Sequence, residues 1–156
     1  MTTGVAVALY NGSKFIKQQL DTIRLQTLKP DRVVMCDDGS TDETIEIVDA
    51  YIKEYGLEDS WKLVKNEQNL GYARNFYKAM SLCDTDLIFL CDQDDVWEFE
   101  KIEKMTRVME QRSDILVLAS KFGMIDQNGE ELHGLLEKKT NETGEIKEIN
   151  HYDLFL

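Results

Sequence analysis

Leu87-Ile88-Phe89-Leu90-Cys91-Asp92-Gln93-Asp94-Asp95 joins an uninterrupted apolar run to three carboxylates within four residues. Five apolar residues with no polar alternation predict a strand buried on both faces. Three neighbouring carboxylates repel one another and suit no apolar core. A hard divalent cation relieves that conflict, because such ions prefer carboxylate oxygens. In open α/β sheets ligands lie beyond the carboxyl ends of the strands, where this cluster falls. The stretch reads as a parallel strand delivering a metal site for a phosphorylated ligand. The bland alternative is a solvated acidic loop.

Working outward, strand-like and helix-like segments alternate. Gly4 to Tyr10 predicts a buried strand, and Asn11-Gly12 a turn. Ser13 is placed to cap a helix from Lys14 to about Gln26, with Phe15, Ile16, Leu20, Ile23 and Thr27 on its inner face. Arg32 to Cys36 predicts the second strand. A helix through Ile45, Val48, Tyr51 and Ile52 follows and stops near Gly56. Trp61 to Lys65 is a third strand, and Tyr72 to Leu82 a helix with Phe76, Ala79 and Met80 inward. After the Leu87 strand come a charged helix from about Glu98 to Gln111 and a fifth strand, Ile115 to Ala119. Gln127-Asn128-Gly129 predicts a β-hairpin between Phe122–Asp126 and Glu130–Leu135. From Glu137 to Ile149 the chain is polar and weakly patterned. The order implies an α/β fold, a mainly parallel sheet flanked by helices. An α/β core over residues 1–120 and a second part over 121–156 is the expected division.

Composition narrows the partners. The 156 residues are 42% hydrophobic and 31% charged, which fits a globular chain. A net charge of -12 opposes binding to nucleic acid and to anionic lipid. No apolar run approaches the roughly 20 residues of a membrane span, so no direct membrane insertion by this segment is expected. Cys36, Cys83 and Cys91 cannot all pair and fit no zinc spacing, so buried thiols in a reducing cytoplasm are expected.

Asp37-Asp38-Gly39-Ser40-Thr41-Asp42-Glu43 has a partly structural explanation. Ser40 and Glu43 have capping-box spacing, and Gly39 suits a tight strand-to-helix turn. The cap leaves Asp38 unexplained. A carboxylate at a strand end accepts hydrogen bonds from a nucleobase N–H or a ribose hydroxyl, and Asp37 is open to either role. Asn69-Leu70-Gly71-Tyr72-Ala73-Arg74-Asn75 opens a helix, where Arg74 can meet a diphosphate or simply be solvated. His133 and His151 form no triad and read as surface residues. No Gly-x-Gly-x-x-Gly and no phosphate-loop lysine appears, against a dinucleotide fold or ATPase.

Taken in order, Tyr10-Asn11, Asp37 to Asp42, Asn69-x-Gly71-x-x-Arg74-Asn75 and Asp92-Gln93-Asp94-Asp95 resemble the nucleotide-binding half of family 2 glycosyltransferases, which have the GT-A fold. The resemblance covers about residues 4 to 130. The Asp-Gln-Asp-Asp-x-Trp form, Asp92 to Trp97, looks most like a rhamnosyltransferase-like branch of bacterial cell-surface polysaccharide synthesis. Carried over by position, it implies that Leu9 and Tyr10 lie beside the base, that Asp38 contacts the base, and that Arg74 lies near the diphosphate. Asp92 would touch ribose and metal, and Asp94 would be the more direct ligand of Mn2+ or Mg2+. Ala8 departs from the family, which often has proline or threonine there. The family's general base is an aspartate of the acceptor half, expected beyond Leu156, so the chain reads as truncated before that half.

What the resemblance implies is metal-dependent inverting transfer of a sugar from a UDP- or dTDP-linked donor to a glycan or lipid-linked hydroxyl, in the cytoplasm or at the inner membrane face. This segment would supply donor binding. Two rivals stand beside it. One is a phosphatase of the haloacid dehalogenase type, whose Asp-x-Asp-x-Val pattern Asp92 to Val96 meets and whose second motif Ser120 fits. The other is a non-catalytic sugar-nucleotide-binding module.

Overall fold

The computed structural model describes residues 1–121, 123–126 and 130. Four strands and four helices alternate: β1 (Thr3–Leu9), α1 (Ile16–Arg24), β2 (Arg32–Asp37), α2 (Thr44–Glu54), β3 (Trp61–Lys65), α3 (Tyr72–Cys83), β4 (Leu87–Asp92) and α4 (Lys101–Gln111). The sheet order is β3-β2-β1-β4, with every pairing parallel. Strand order therefore reverses between β1 and β4, and their carboxyl ends flank the crevice where such sheets bind ligands.

The two faces of the sheet are covered unequally. Val5, Val7 and Leu9 of β1, Val33 and Met35 of β2, and Phe89 and Cys91 of β4 pack with Ile16, Leu20 and Ile23 of α1 and with Val48, Tyr51 and Ile52 of α2. The opposite face is thinner: Ala6, Val34 and Cys36 meet Ala79 and Cys83 of α3. All three cysteines are buried and unpaired. Trp97, 5% exposed, anchors the segment after β4 against Phe89. Gln26 ties that segment to α1, donating to the Glu98 carbonyl (2.8 Å) and accepting from the Ile102 N–H (3.0 Å). Gln26 is fully buried, and these bonds meet the cost of placing its amide there.

Several expectations are corrected. Ser13 does not cap α1; its N–H donates to Asp42, and the helix begins at Ile16 after a turn closed on the Gly12 carbonyl. Thr27 is exposed beyond the helix. The Ser40–Glu43 box does not form: Ser40 is drawn to Asp37, while Asp42 accepts from the Thr44 N–H. Met80 lies outward at 36% exposure, because α3 buries only the stripe of Asn75, Phe76, Ala79 and Cys83. Ile115 to Ala119 forms no strand, and Leu116 and Val117 are 90% and 80% exposed. Apolar residues alone make no strand; a ladder partner is needed, and none stands beside this run among the described residues.

The chain divides into Met1–Leu118, described above, and Ala119–Leu156. In the second unit, Asp126 donates its N–H to the Glu130 carbonyl at 2.9 Å and accepts from the Glu130 N–H through its side chain at 3.0 Å. Gly123, Met124 and Ile125 of the expected hairpin are exposed, whereas its residues 122, 127–129 and 131–135, His133 among them, His151 and residues 137–149 lie outside the described residues.

Candidate functional site

A cleft of about 380 Å³ opens at the carboxyl ends of β1 and β4, lined by Leu9, Tyr10, Asp38, Asn69, Gly71, Tyr72, Asp92 and Asp94 among others. The structure thus gathers Leu9, Tyr10, Asp38, Asp92 and Asp94, drawn from three strand ends, into one place. Arg74 stands apart, on the exposed first turn of α3 and outside the lining. A second depression, of about 340 Å³, lies at the other end of the strands beside Thr2, Asp84 and Asp86. There Asp86 is occupied by the Thr2 N–H at 2.7 Å and by the Thr2 hydroxyl.

Asp37 and Asp38, adjacent at the end of β2, have different duties. Asp37 is buried and folds the turn after its own strand, accepting from the N–H groups of Gly39 (3.1 Å) and Ser40 (3.0 Å) and from the Ser40 hydroxyl. Asp38 reaches across to the loop before α3. It accepts from the Leu70 N–H (2.7 Å), the Asn66 amide (2.8 Å) and the Gly71 N–H (2.8 Å). Gly71 precedes α3 at φ 79°, a conformation natural to glycine, and this aims its N–H at Asp38. Burial alone would raise the Asp38 carboxyl. The Leu70, Asn66 and Gly71 donors and the charge of Lys78 outweigh it and hold the group below its ordinary value.

Behind Asp38 runs an amide network that sequence reasoning missed. Asn66 also donates to Asn75 (2.9 Å), and Asn75, 2% exposed, donates to the Cys36 carbonyl (2.8 Å). Lys78 donates to the Asn66 side-chain oxygen (2.8 Å). The signal was Asn75 itself, an amide placed on the apolar face of a helix.

The acidic cluster is under electrostatic stress. Burial, then the charges of Asp95 and Asp94, push the Asp92 carboxyl above its ordinary value. Burial and the charges of Asp92 and Asp95 raise the Tyr72 phenol across the cleft. Among the described residues, no three His, Cys, Asp or Glu side chains converge as a ready-made metal cage. Two hard oxygen donors beside an open cleft nevertheless fit a cation that completes its shell with substrate phosphates and water. Between them Gln93 turns to the neighbouring strand, accepting from the Tyr10 N–H and donating to the Tyr10 carbonyl, both at 2.9 Å.

The family model for glycosyl transferase family 2 matches residues 4–153. The chain belongs to glycosyl transferase family 2. It is 31% identical over 150 residues to an uncharacterized glycosyltransferase of Methanocaldococcus jannaschii, covering 95% of this chain and 49% of that protein. It is 26% identical over 128 residues to the glycosyltransferase GlyG of Streptococcus pneumoniae, covering 80% of this chain and 40% of that one. The chain therefore spans about half the length or less of these relatives. Among solved structures it resembles S. aureus TarS 1–349 in complex with UDP: TM-score 0.63, 26% identity, 72% of this chain and 33% of that one. It also resembles the mannosyltransferase PcManGT of Pyrobaculum calidifontis, solved with GDP-Man and Mn2+: TM-score 0.63, 23% identity, 69% of this chain and 32% of that one. The fold is that of the GT-A transferases. Membership of this family sets aside the phosphatase reading, which rested on a short pattern that a transferase metal motif also satisfies. No helix among the described residues is long and apolar enough to cross a membrane.

Proposed function

We propose that this family 2 chain binds a nucleoside-diphosphate sugar at the β1–β4 crevice and serves inverting transfer of the sugar to a hydroxyl acceptor. The observation that carries the reading is the meeting of Asp38 with Asp92 and Asp94 in one cleft. Leu9 and Tyr10 at the end of β1 form the wall for the base. Asp38 both fastens the loop of Asn66–Gly71 and offers a carboxylate edge to the base or ribose. Asp92 faces the ribose and, with Asp94, holds Mn2+ or Mg2+. Arg74, on the helix whose Tyr72 lines the cleft, is assigned to the diphosphate.

A bound divalent ion would neutralise charge growing on the diphosphate leaving group. The stress on Asp92 is what such an ion would relieve. TarS, solved with UDP and separately with UDP-GlcNAc, supports a uracil-type donor, and UDP- or dTDP-sugars are our assignment. The Asp92-to-Trp97 motif carries the further assignment to a rhamnosyltransferase-like role in cell-surface polysaccharide synthesis, with a glycan or lipid-linked acceptor. Three unpaired cysteines suit the cytoplasm. The division at residue 120 is proposed as the border between donor-binding core and the start of the acceptor-binding part. Titration calorimetry with UDP, dTDP and GDP, each with and without Mn2+, tests the reading. We expect binding of a pyrimidine diphosphate that depends on metal; no heat from any nucleotide at millimolar concentration with metal overturns it.

A further inference from the structure

We propose that Gln93 is a positioning residue that couples the metal side of the cleft to its base side. The inference rests on the nucleotide-binding reading above and assigns a role to the one residue of the acidic cluster that carries no charge. Parallel pairing of β1 with β4 ends at Ala8 and Asp92. Beyond it the β4 backbone turns away, leaving the Tyr10 N–H and C=O without a main-chain partner on that side. The Gln93 carboxamide takes both, at 2.9 Å each, as a neighbouring strand's peptide group would. A primary amide sets an acceptor and a donor side by side as a peptide group does, and glutamine carries it at this length.

The fit is tight on the far side. A Cβ on Gly12 would collide with the Gln93 carboxamide, so Gly12 is the space that the amide occupies. Tyr10 is in turn tied to the next loop through Asn11, whose N–H donates to Ser40 (2.9 Å) and whose side chain accepts from the Thr41 N–H (2.8 Å). Gln93 thus links Asp92 and Asp94, which flank it in sequence, to the Tyr10 wall and onward to the turn after β2. A cation held by the two aspartates would act on the same backbone that carries Gln93, and the Gln93 amide would pass that displacement to Tyr10.

The test measures UDP affinity with and without Mn2+, and Mn2+ affinity alone, for the wild type, Gln93→Ala, Gln93→Glu, Gly12→Ala and the double variant. The expected result for Gln93→Ala is a roughly tenfold loss of UDP affinity at saturating Mn2+, the scale of two lost hydrogen bonds. Its affinities for Mn2+ alone and for UDP without metal each stay within about twofold, so the factor by which metal enhances UDP binding falls with the loss at saturating Mn2+. Gln93→Glu keeps the acceptor for the Tyr10 N–H but sets an oxygen against the Tyr10 carbonyl, and it loses the coupling without a cavity. Should Gln93→Ala fail to fold, Gln93→Glu and Gly12→Ala decide. Gly12→Ala, which displaces the amide, reproduces the loss, and combining it with Gln93→Ala adds little. Variants that lower the melting temperature but keep the full metal enhancement overturn the inference and leave Gln93 a structural brace. A wild type that binds no nucleotide overturns the donor-site reading, and this inference with it.

Discussion

Asp38 and Asp94 line the same cleft yet are held so differently that they should fail differently. Asp38 has three donors and is 3% exposed, while Asp94 lies exposed after the end of β4. Asp38→Ala releases the loop of Asn66–Gly71 and leaves the Leu70 and Gly71 N–H groups to find new partners. We expect a loss of about 2–3 kcal/mol in stability by urea unfolding, together with weaker nucleotide binding that still responds to metal. Asp94→Asn removes the carboxylate proposed to hold the metal and should leave unfolding nearly unchanged while abolishing most of the Mn2+ response in calorimetry. Asp42 offers a pH readout. Burial would raise it, but the Thr44 hydroxyl and the Ser13 donors lower it from 3.8 to about 2. A depressed carboxyl stabilises the fold above its unfolded value, and that contribution fades as pH falls from about 4 toward 2. Asp42→Ala should cost about 1 kcal/mol at neutral pH, with the deficit to wild type shrinking across that window in urea titrations. At this scale the carboxylates were legible because their spacing at strand ends is itself a chemical pattern. Gln93, Asn66 and Asn75 were not, since what an amide does depends on which backbone groups the tertiary fold leaves unpaired.

The strand positions were legible almost to the residue. Burial on both sides writes the unbroken apolar runs of β1 and β2, but β4, expected to be buried on both faces, leaves Leu90 53% exposed, and β3 is only partly buried. The start of α3 at Tyr72 was legible too, but those of α1 and α2 were not: Ser13 and Ser40 have the composition of caps, but Asp42 and Asp37 win the competition for the nearby N–H groups. The fifth strand failed for a related reason, since Leu116 and Val117 have strand composition and no ladder partner among the described residues. Gln26 shows how an element can be fixed by a side chain no periodicity flags. Its amide bonds the Glu98 carbonyl and the Ile102 N–H, joining α1 to α4 across the segment that follows the acidic cluster. Gln26→Leu keeps the volume and leaves the Ile102 N–H without its acceptor, while the Glu98 carbonyl keeps only the Lys101 N–H at 3.0 Å. The expected cost is about 2 kcal/mol, read as a lower urea midpoint at unchanged slope. Hydrogen exchange at Ile102 should quicken with it. If exchange there stayed as slow as in wild type, α4 would be held by Trp97 and Ile102 packing alone.

On the scale of the whole molecule, thirty acidic residues against eighteen basic ones give a net charge of -12, and much of it is solvated along the helices. Any divalent cation will therefore screen the protein to some degree, and a bare rise in melting temperature with Mn2+ says little about the cleft. The specific effect separates by its form. A ligand at a hundred times its dissociation constant stabilises by about 2.7 kcal/mol, roughly 5–10 °C for a domain of this size. Screening instead acts at ionic strengths where sodium chloride does the same. We expect UDP alone to move the melting temperature little, Mn2+ alone to move it modestly, and the two together to exceed the sum of their separate shifts. The excess should persist in 0.2 M sodium chloride, because a pair of carboxylates sharing one ion with a diphosphate is screened far less than scattered surface charge. In Asp94→Asn the excess should vanish while the small Mn2+ shift from screening remains. Equal shifts in wild type and Asp94→Asn, both erased by salt, would mean that the cation reads the protein's overall charge and not the crevice between β1 and β4.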